Sequence, residues 1–178
     1  MGNYNYIIDH TLTEVGYTEP VSVTEAKLYC RVTHTSEDTL IGELITTARE
    51  AIETATGLSL ISKTVDIWFT NEAGDIPIPF GPYQSGFVLL DSDGNAIAAA
   101  DYKLVGGKHP FLSYPLLRDM KATYTAGFTV VPKQLQTAIL DQVNHLYENR
   151  GANDQAHLGV CMKAWRACQQ FTRTSPVI

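Results

Sequence analysis

The chain has 178 residues, of which 44% are hydrophobic and only 18% are charged, and its formal net charge is −6. A length in this range is typical of one domain, and tight binding of nucleic acid is disfavoured because no cluster of Lys and Arg occurs. Three cysteines that cannot all pair, no signal peptide and no apolar run near the roughly 20 residues that span a bilayer predict a protein made in a reducing cytosol, with no membrane.

The first twenty residues are polar and rich in tyrosine without any periodicity, so we expect an extended N-terminal arm over residues 1–20. The first helix signal follows directly. Ser22 and Glu25 have the spacing of a capping box, in which each side chain satisfies a free backbone amide at the helix start. A short helix is therefore predicted, and it buries either Ala26 and Cys30 or Leu28 and Val32.

Residues 36–57 predict a long helix. Apolar residues recur at steps of three and four and form one stripe. Ser36 is expected to cap the start of this helix, and Gly57 is expected to end it. The stripe consists of Leu40, Ile41, Leu44, Ile45, Ala48, Ile52 and Ala55.

Between about residues 61 and 125 the apolar period changes to two, in short runs separated by Gly, Pro and Asp. Such runs are typical of a small antiparallel sheet, and the sequence SDGN at 92–95 predicts a hairpin turn. We expect these strands to form an insertion within a single domain that spans residues 21–151.

A second long helix is predicted after Pro132, with its buried face formed by Leu135, Ala138, Ile139, Gln142, Val143, Leu146 and Tyr147. Gly151 is expected to end it. A last helix over about 156–171 follows a polar stretch, so that residues 152–178 form a C-terminal helix and tail. The predicted fold class is α+β: a bundle of two long helices and shorter ones, a small antiparallel sheet and extended arms.

Two short motifs suggest ligand sites and fail on spacing. Asp91, Asp93 and Asn95 are spaced like a calcium loop, but such a loop needs Gly at its sixth position and Glu at its twelfth. GGKH at 106–109 contains a Gly-Lys pair, but lacks the Ser or Thr and the earlier Gly of a phosphate-binding loop. Turns between strands are predicted at both places.

His157, Cys161 and Cys168 are expected on nearly one face of the last helix. At about 1.5 Å rise per residue the two cysteines lie about 10 Å apart, which is too far for a disulfide. The histidine is more distant still from Cys168, so the three side chains cannot share one ion. No catalytic motif of the GxSxG or HExxH kind occurs, and the sequence predicts no enzyme activity, no cofactor and no metal.

Three segments resemble one known family in the same order. They read PVSVTEAKLYCRV, EDTLIGELITTAREAIETATGLSLISKT and MKATYTAGFTVVPKQLQTAILDQVNHLYENRG, and together they are similar to the head-tail connector (adaptor) proteins of tailed bacteriophages. The similarity covers about residues 20–70 and 118–151. The chain departs from that pattern at Tyr29 and Cys30, where the family tends toward His-Leu.

The resemblance implies a structural, non-enzymatic protein in the virion neck, made in the host cytoplasm. It implies a ring of about a dozen identical subunits, closed by a head-to-tail interface. The ring would bind the portal above and a downstream neck or tail-completion protein below, and DNA would pass through its channel without sequence-specific binding.

The C-terminal segment is the candidate partner interface, because it is basic and aromatic in an otherwise acidic chain and Trp and Arg dominate interface hot spots. By resemblance its partner is the portal. The alternative is that the last helix folds onto its own domain with Leu158, Met162 and Trp165 as core. The candidate interface residues are Lys163, Trp165, Arg166, Phe171 and Arg173.

Two functions of other classes stay open at this point. A small phage or host hydrolase, or a ligand-binding enzyme, would require a pocket with converging polar groups. A DNA-packaging accessory factor would require a basic surface, which the net charge of −6 disfavours.

Overall fold

The computed structural model describes residues 7–70, 75–115, 119–150 and 159–172. These residues form two compact units, a helical one that contains 18–60 and 130–172 and a sheet unit that contains 7–17 and 61–129. The predicted α+β class is confirmed, because helices and antiparallel sheets are both present. No helix within the described ranges is long and apolar enough to cross a membrane.

The helical unit is built from four α-helices within the described residues. They are α1 (Val23–Cys30), α2 (Asp38–Thr56), α3 (Lys133–Glu148) and α4 (Met162–Cys168), and a 3₁₀ turn over Gln169–Phe171 follows α4. Helix α2 packs against α3, α1 packs against both, and α4 packs mainly on α3.

Helix α1 begins as its capping box predicts. The Ser22 hydroxyl accepts a hydrogen bond from the amide of Glu25, and the Glu25 carboxylate accepts one from the amide of Ser22. Of the two predicted buried pairs, Ala26 and Cys30 are buried, whereas Leu28 is 76% exposed. The helix therefore turns its small residues toward its neighbours.

Helix α2 buries the centre of the predicted stripe, with Ile41, Ile45, Ala48 and Ile52 fully or almost fully buried. The other stripe residues, Leu40, Leu44 and Ala55, are half-buried. It ends at Gly57, whose φ of 70° favours glycine. Its start differs from the prediction, because Glu37 occupies the cap position and makes no side-chain capping bond. The Ser36 hydroxyl lies 2.8 Å from Nδ1 of His34 instead.

Helix α3 also follows its predicted face, with Leu135, Ala138, Ile139 and Val143 completely buried. Pro132 stands at the cap position just before the helix. The helix ends at Glu148, with Asn149 as its C-cap. Gly151, predicted to end it, lies outside the described residues.

The sheet unit contains two antiparallel sheets. The strands are β1 (Ile7–Glu14), β2 (Lys63–Thr70), β3 (Asp75–Pro77), β4 (Tyr83–Asp91), β5 (Lys103–Val105), β6 (Phe111–Ser113) and β7 (Asp119–Ala126). One sheet has the order β1-β2-β7-β4 and the other β3-β6-β5. Residues of both sheets form one hydrophobic core, which lies on the face of β2 that carries Val65, Ile67 and Phe69.

Part of the predicted N-terminal arm is a strand. Residues 7–14 pair with β2 along their length, from Ile7 opposite Phe69 to Glu14 opposite Lys63. The extended conformation was predictable from the sequence. Its partner strand β2 lies some fifty residues further along the chain, so a local sequence pattern does not reveal the pairing.

The two predicted turns are confirmed. After β4, the amide of Gly94 bonds the carbonyl of Asp91, and Ala96 bridges back to Leu90, which closes a hairpin. GGKH lies between the paired strands β5 and β6. There Gly106 has a φ of 113°, and a Cβ would lie 3.3 Å from the backbone of His109 and Pro110, so glycine is required.

Candidate docking surfaces

Helix α4 is shorter than the sequence predicts and starts at Met162, not near residue 156. Residues 159–161 are not helical, and Cys161 is the N-cap. The Gln142 side chain of α3 holds this segment by accepting a bond from the amide of Cys161 (2.7 Å) and donating one to the carbonyl of Gly159 (3.1 Å). These bonds satisfy backbone groups of residues 159 and 161 in a non-helical conformation.

Helix α4 packs on its own helical unit through small residues. Ala164 and Cys168 are fully buried, whereas Met162 is 65% exposed and Trp165 is half-buried. Burial raises the pKa of the Cys168 thiol to about 11, with a smaller contribution from Cys161. The helix thus packs on its own unit, as the alternative expects, but Met162 and Trp165 are not the residues that it buries; Leu158 lies outside the described residues.

A polar cluster joins α1, α3 and α4. The Asp141 carboxylate, whose side chain is 4% exposed, accepts hydrogen bonds from the Tyr29 hydroxyl and from the Lys163 ammonium group at 2.5 Å. Lys163 also donates to the Tyr29 oxygen at 2.9 Å. The bond to Asp141, followed by the bond to Tyr29, raises the pKa of Lys163 above its usual range. Tyr29, a departure from the family pattern, is thus a cross-linking residue.

The predicted interface residues divide into three groups. Arg166 is exposed, and Trp165 and Phe171 are half-buried near it on α4 and the 3₁₀ turn. Lys163 is exposed but already engaged by Asp141. Arg173 lies outside the described residues. The surface that remains for a partner is therefore Arg166 with the exposed edges of two aromatic rings.

A second polar cluster escaped the sequence analysis. Arg49 is completely buried on α2, and its guanidinium pairs with Glu53 at 2.8 Å and with Glu19 at 3.0 Å. Glu53 in turn accepts a bond from the amide of Leu60 at 2.7 Å. The spacing of Arg49 and Glu53, four residues apart on a helix, is the one sequence signal of this cluster. The cluster links the second half of α2 to Glu19, before α1, and to Leu60, just after α2.

The residues considered for metal binding do not form a site within the described ranges, where no group of three His, Cys, Asp or Glu side chains converges. Asp91 accepts bonds from the amides of Asp93 and Asn95, as a turn residue does. His157 lies outside the described residues. Cys161 is the N-cap of α4 and Cys168 is its last residue, so the predicted common helix face with His157 extends outside the described residues.

The sequence model of one protein family, described as phage gp6-like head-tail connector protein, matches residues 20–86. That range contains α1, α2, β2 and β3. Over residues 20–86, the chain is similar to phage head-tail connector proteins. The resemblance stated from the sequence is confirmed there, while its second block, residues 118–151, lies outside the matched range.

Solved structures share the fold of this chain over nearly its whole length. A chain in the neck of an empty GTA particle, computed with C6 symmetry, is 23% identical with a TM-score of 0.70. A chain in the virion of a native gene transfer agent (GTA) particle is 22% identical with a TM-score of 0.67. A chain in the neck of the native particle, computed with C12 symmetry, is 24% identical with a TM-score of 0.63. Each match covers 94% of this chain and 97% of the other. No curated protein matches the chain.

Proposed function

We propose that the protein is a structural head-tail connector subunit in the neck of a tailed phage or phage-like particle. The observation that carries this proposal is the connector family match over residues 20–86. It is supported by the shared fold, which spans 97% of the length of proteins from a particle neck. The predicted assembly is a homo-oligomeric ring between the portal and the next neck or tail component, with DNA passing through its channel.

The proposed role is mechanical, and we propose no catalysis. The structures with the same fold are described as parts of a neck or virion. The buried polar clusters support the same proposal, because Asp141 cross-links three helices of one unit and Arg49 links α2 to the segment before α1. Buried polar bonds of this kind favour one rigid arrangement of the helices. A structural ring needs such rigidity.

The exposed side of α4 is proposed as the docking surface for the portal. Arg166 supplies a charge there, and Trp165 and Phe171 supply half-buried aromatic area, the combination that dominates interface hot spots. Because Ala164 and Cys168 anchor the helix on α3, removing everything after Gly151 should destabilise the unit. Point substitutions therefore test docking better than truncation.

We expect Arg166→Glu to weaken binding to the purified portal at least tenfold without changing the thermal transition. Lys133→Glu, a charge reversal at an exposed position of α3, is the matched control and should bind normally. Equal affinities of the two variants for the portal would contradict docking through α4.

The proposed function itself is tested by producing particles without this protein. Filled heads and free tails should accumulate unjoined, and the wild-type chain added back should restore joined particles. Normal joining in its absence would contradict the connector role.

A further inference from the structure

The outer face of the four-stranded sheet carries a groove of about 500 Å³ that the proposed function does not use. All four strands contribute to it, with Trp68, Leu90 and the exposed Ile8 as its apolar part. Since side chains alternate along a strand, Trp68 faces away from the core that its neighbours Ile67 and Phe69 fill. The groove is thus an apolar recess on a surface without a covering layer among the described residues.

The surroundings of this groove are acidic. Asp9, Asp91 and Asp119 line it, and Asp9 and Asp119 are exposed. The Asp9 carboxylate accepts a bond from the amide of His10, and that of Asp119 accepts one from the Thr70 hydroxyl. These neutral donors orient the two carboxylates and leave their negative charges in place.

Among the described residues one cation lines the groove, and it is already engaged. Nζ of Lys121 is 3.0 Å from Oδ2 of Asp66 and 4.6 Å from the centroid of the Trp68 ring. Lys121 and Asp66 offset one another, so the charges of Asp9 and Asp119 dominate. A cationic partner with an apolar side chain is the chemistry that fits such a groove.

The same unit carries a surface of the opposite kind at the hairpin of β5 and β6. Lys103 and Lys108 are exposed there, and neither ammonium group has an ion-pair partner among the described residues. Val105, between them in sequence, is 54% exposed. Strand β5 is an edge strand of the second sheet. The hairpin therefore presents two exposed cations, Lys103 on strand β5 and Lys108 in the turn, with the apolar Val105 between them in sequence.

The two surfaces lie on opposite layers of the sheet unit. The second sheet contributes Ile76 and Leu112 to the shared core, so it covers the inner face of the four-stranded sheet, whereas the groove opens on the outer face. In this arrangement the β5-β6 hairpin cannot contact the Trp68 groove of its own chain. A head-to-tail contact between identical subunits needs such a pair, two different and complementary surfaces on one chain.

We propose that the β5-β6 hairpin of one copy docks into the Trp68 groove of the next copy. Lys103 and Lys108 then face Asp9 and Asp119 of the neighbour, and Val105 covers the apolar floor. This inference rests on the proposed ring and names the contact that closes it.

The test uses two variants of the full chain with opposite charge reversals. Lys103→Glu/Lys108→Glu makes both surfaces negative, and Asp9→Lys/Asp119→Lys makes both positive, so each variant alone should stay monomeric. In an equimolar mixture every hairpin meets a groove of opposite charge, and oligomers with alternating subunits should form again. Light scattering measures the masses, and thermal denaturation confirms that each variant folds, as expected for substitutions at exposed positions.

The outcomes separate this inference from the proposed function. Wild-type oligomers, monomeric single variants and an oligomeric mixture support the contact. If the wild type forms a ring and either variant alone does so too, or if the mixture stays monomeric, the hairpin-groove contact is overturned and the ring stands. If the wild type itself stays monomeric at every concentration, the ring is contradicted. Glu43→Lys/Glu148→Lys, at exposed positions of α2 and α3, is the charge-matched control and should assemble like the wild type.

Discussion

Nζ of Lys163 on α4 lies 2.5 Å from Oδ1 of Asp141 on α3, and the two residues differ sharply in exposure, with side chains 72% and 4% exposed. The carboxylate is the member of the pair that water cannot reach. Its loss should therefore matter more to the stability of the helical unit than the loss of the lysine.

We predict that Asp141→Ala lowers the free energy of unfolding by about 1–3 kcal/mol, because a buried acceptor of charge-assisted bonds is lost. Lys163→Met should cost less, since Tyr29 still donates to the carboxylate. Chemical denaturation of both variants measures the difference. A larger loss for Lys163→Met than for Asp141→Ala would contradict this assignment.

The buried stripe of α2 gives a second prediction. Ile45 is 1% exposed, so Ile45→Asp places an unpaired carboxylate in the core and should cost several kcal/mol, enough to unfold the helical unit. Glu50→Ala, on the exposed side of the same helix, should stay within about 0.5–1 kcal/mol of the wild type. Equal denaturation midpoints for the two variants would mean that the buried face is misassigned.

Stability should depend on pH through Glu37. The hydrogen bond from the Tyr147 hydroxyl, followed by the bond from Arg150, holds the pKa of Glu37 below its ordinary value of 4.5. A carboxyl group with a lowered pKa stabilises the fold fully above its unfolded pKa and loses that contribution as the pH falls through its folded pKa. Glu37→Gln should therefore lose stability relative to the wild type at pH 6 and approach it near pH 3.

Thermal unfolding across this pH range measures the effect, with Glu43→Gln, an exposed residue of the same helix, as the control. A constant difference between Glu37→Gln and the wild type from pH 6 to pH 3 would show that the Glu37 contacts do not depend on its charge.

The three cysteines should differ in reactivity. Cys161 is half-buried at the start of α4, whereas Cys30 and Cys168 are buried, and burial raises the pKa of both of these thiols. A raised pKa leaves less of the reactive thiolate at neutral pH. Alkylation of the native protein should therefore modify Cys161 first, and Cys161→Ser should abolish the fast phase. Rapid modification of Cys168 in the folded protein would contradict the packing of α4 that buries this residue.

Local signals predicted a large part of the fold. The capping box of Ser22 and Glu25, the stripe of α2 and the Gly57 exit depend on neighbours within one or two turns, so the sequence displays them directly. The pairing of β1 with β2 and the burial of Arg49 depend on residues distant in sequence. The short α4 depends on Gln142 of another helix, which satisfies backbone groups before Met162. Tertiary contacts of this kind override local periodicity.

The sequence predicted which residues make up the candidate interface, but not which of them remain exposed to a partner. The sequence marked Lys163, Trp165 and Arg166 as one basic, aromatic group, yet Asp141 holds Lys163 and leaves Arg166 as the exposed charge. The groove around Trp68 escaped notice because its residues come from four strands, with Ile8 and Lys121 more than a hundred positions apart.

Electron microscopy of the purified protein mixed with its portal tests the connector role most directly. The proposed function predicts ring-shaped particles of this protein stacked on the portal, coaxial with its channel. A portal that stays bare at saturating protein concentration, beside protein that forms no rings, would contradict it.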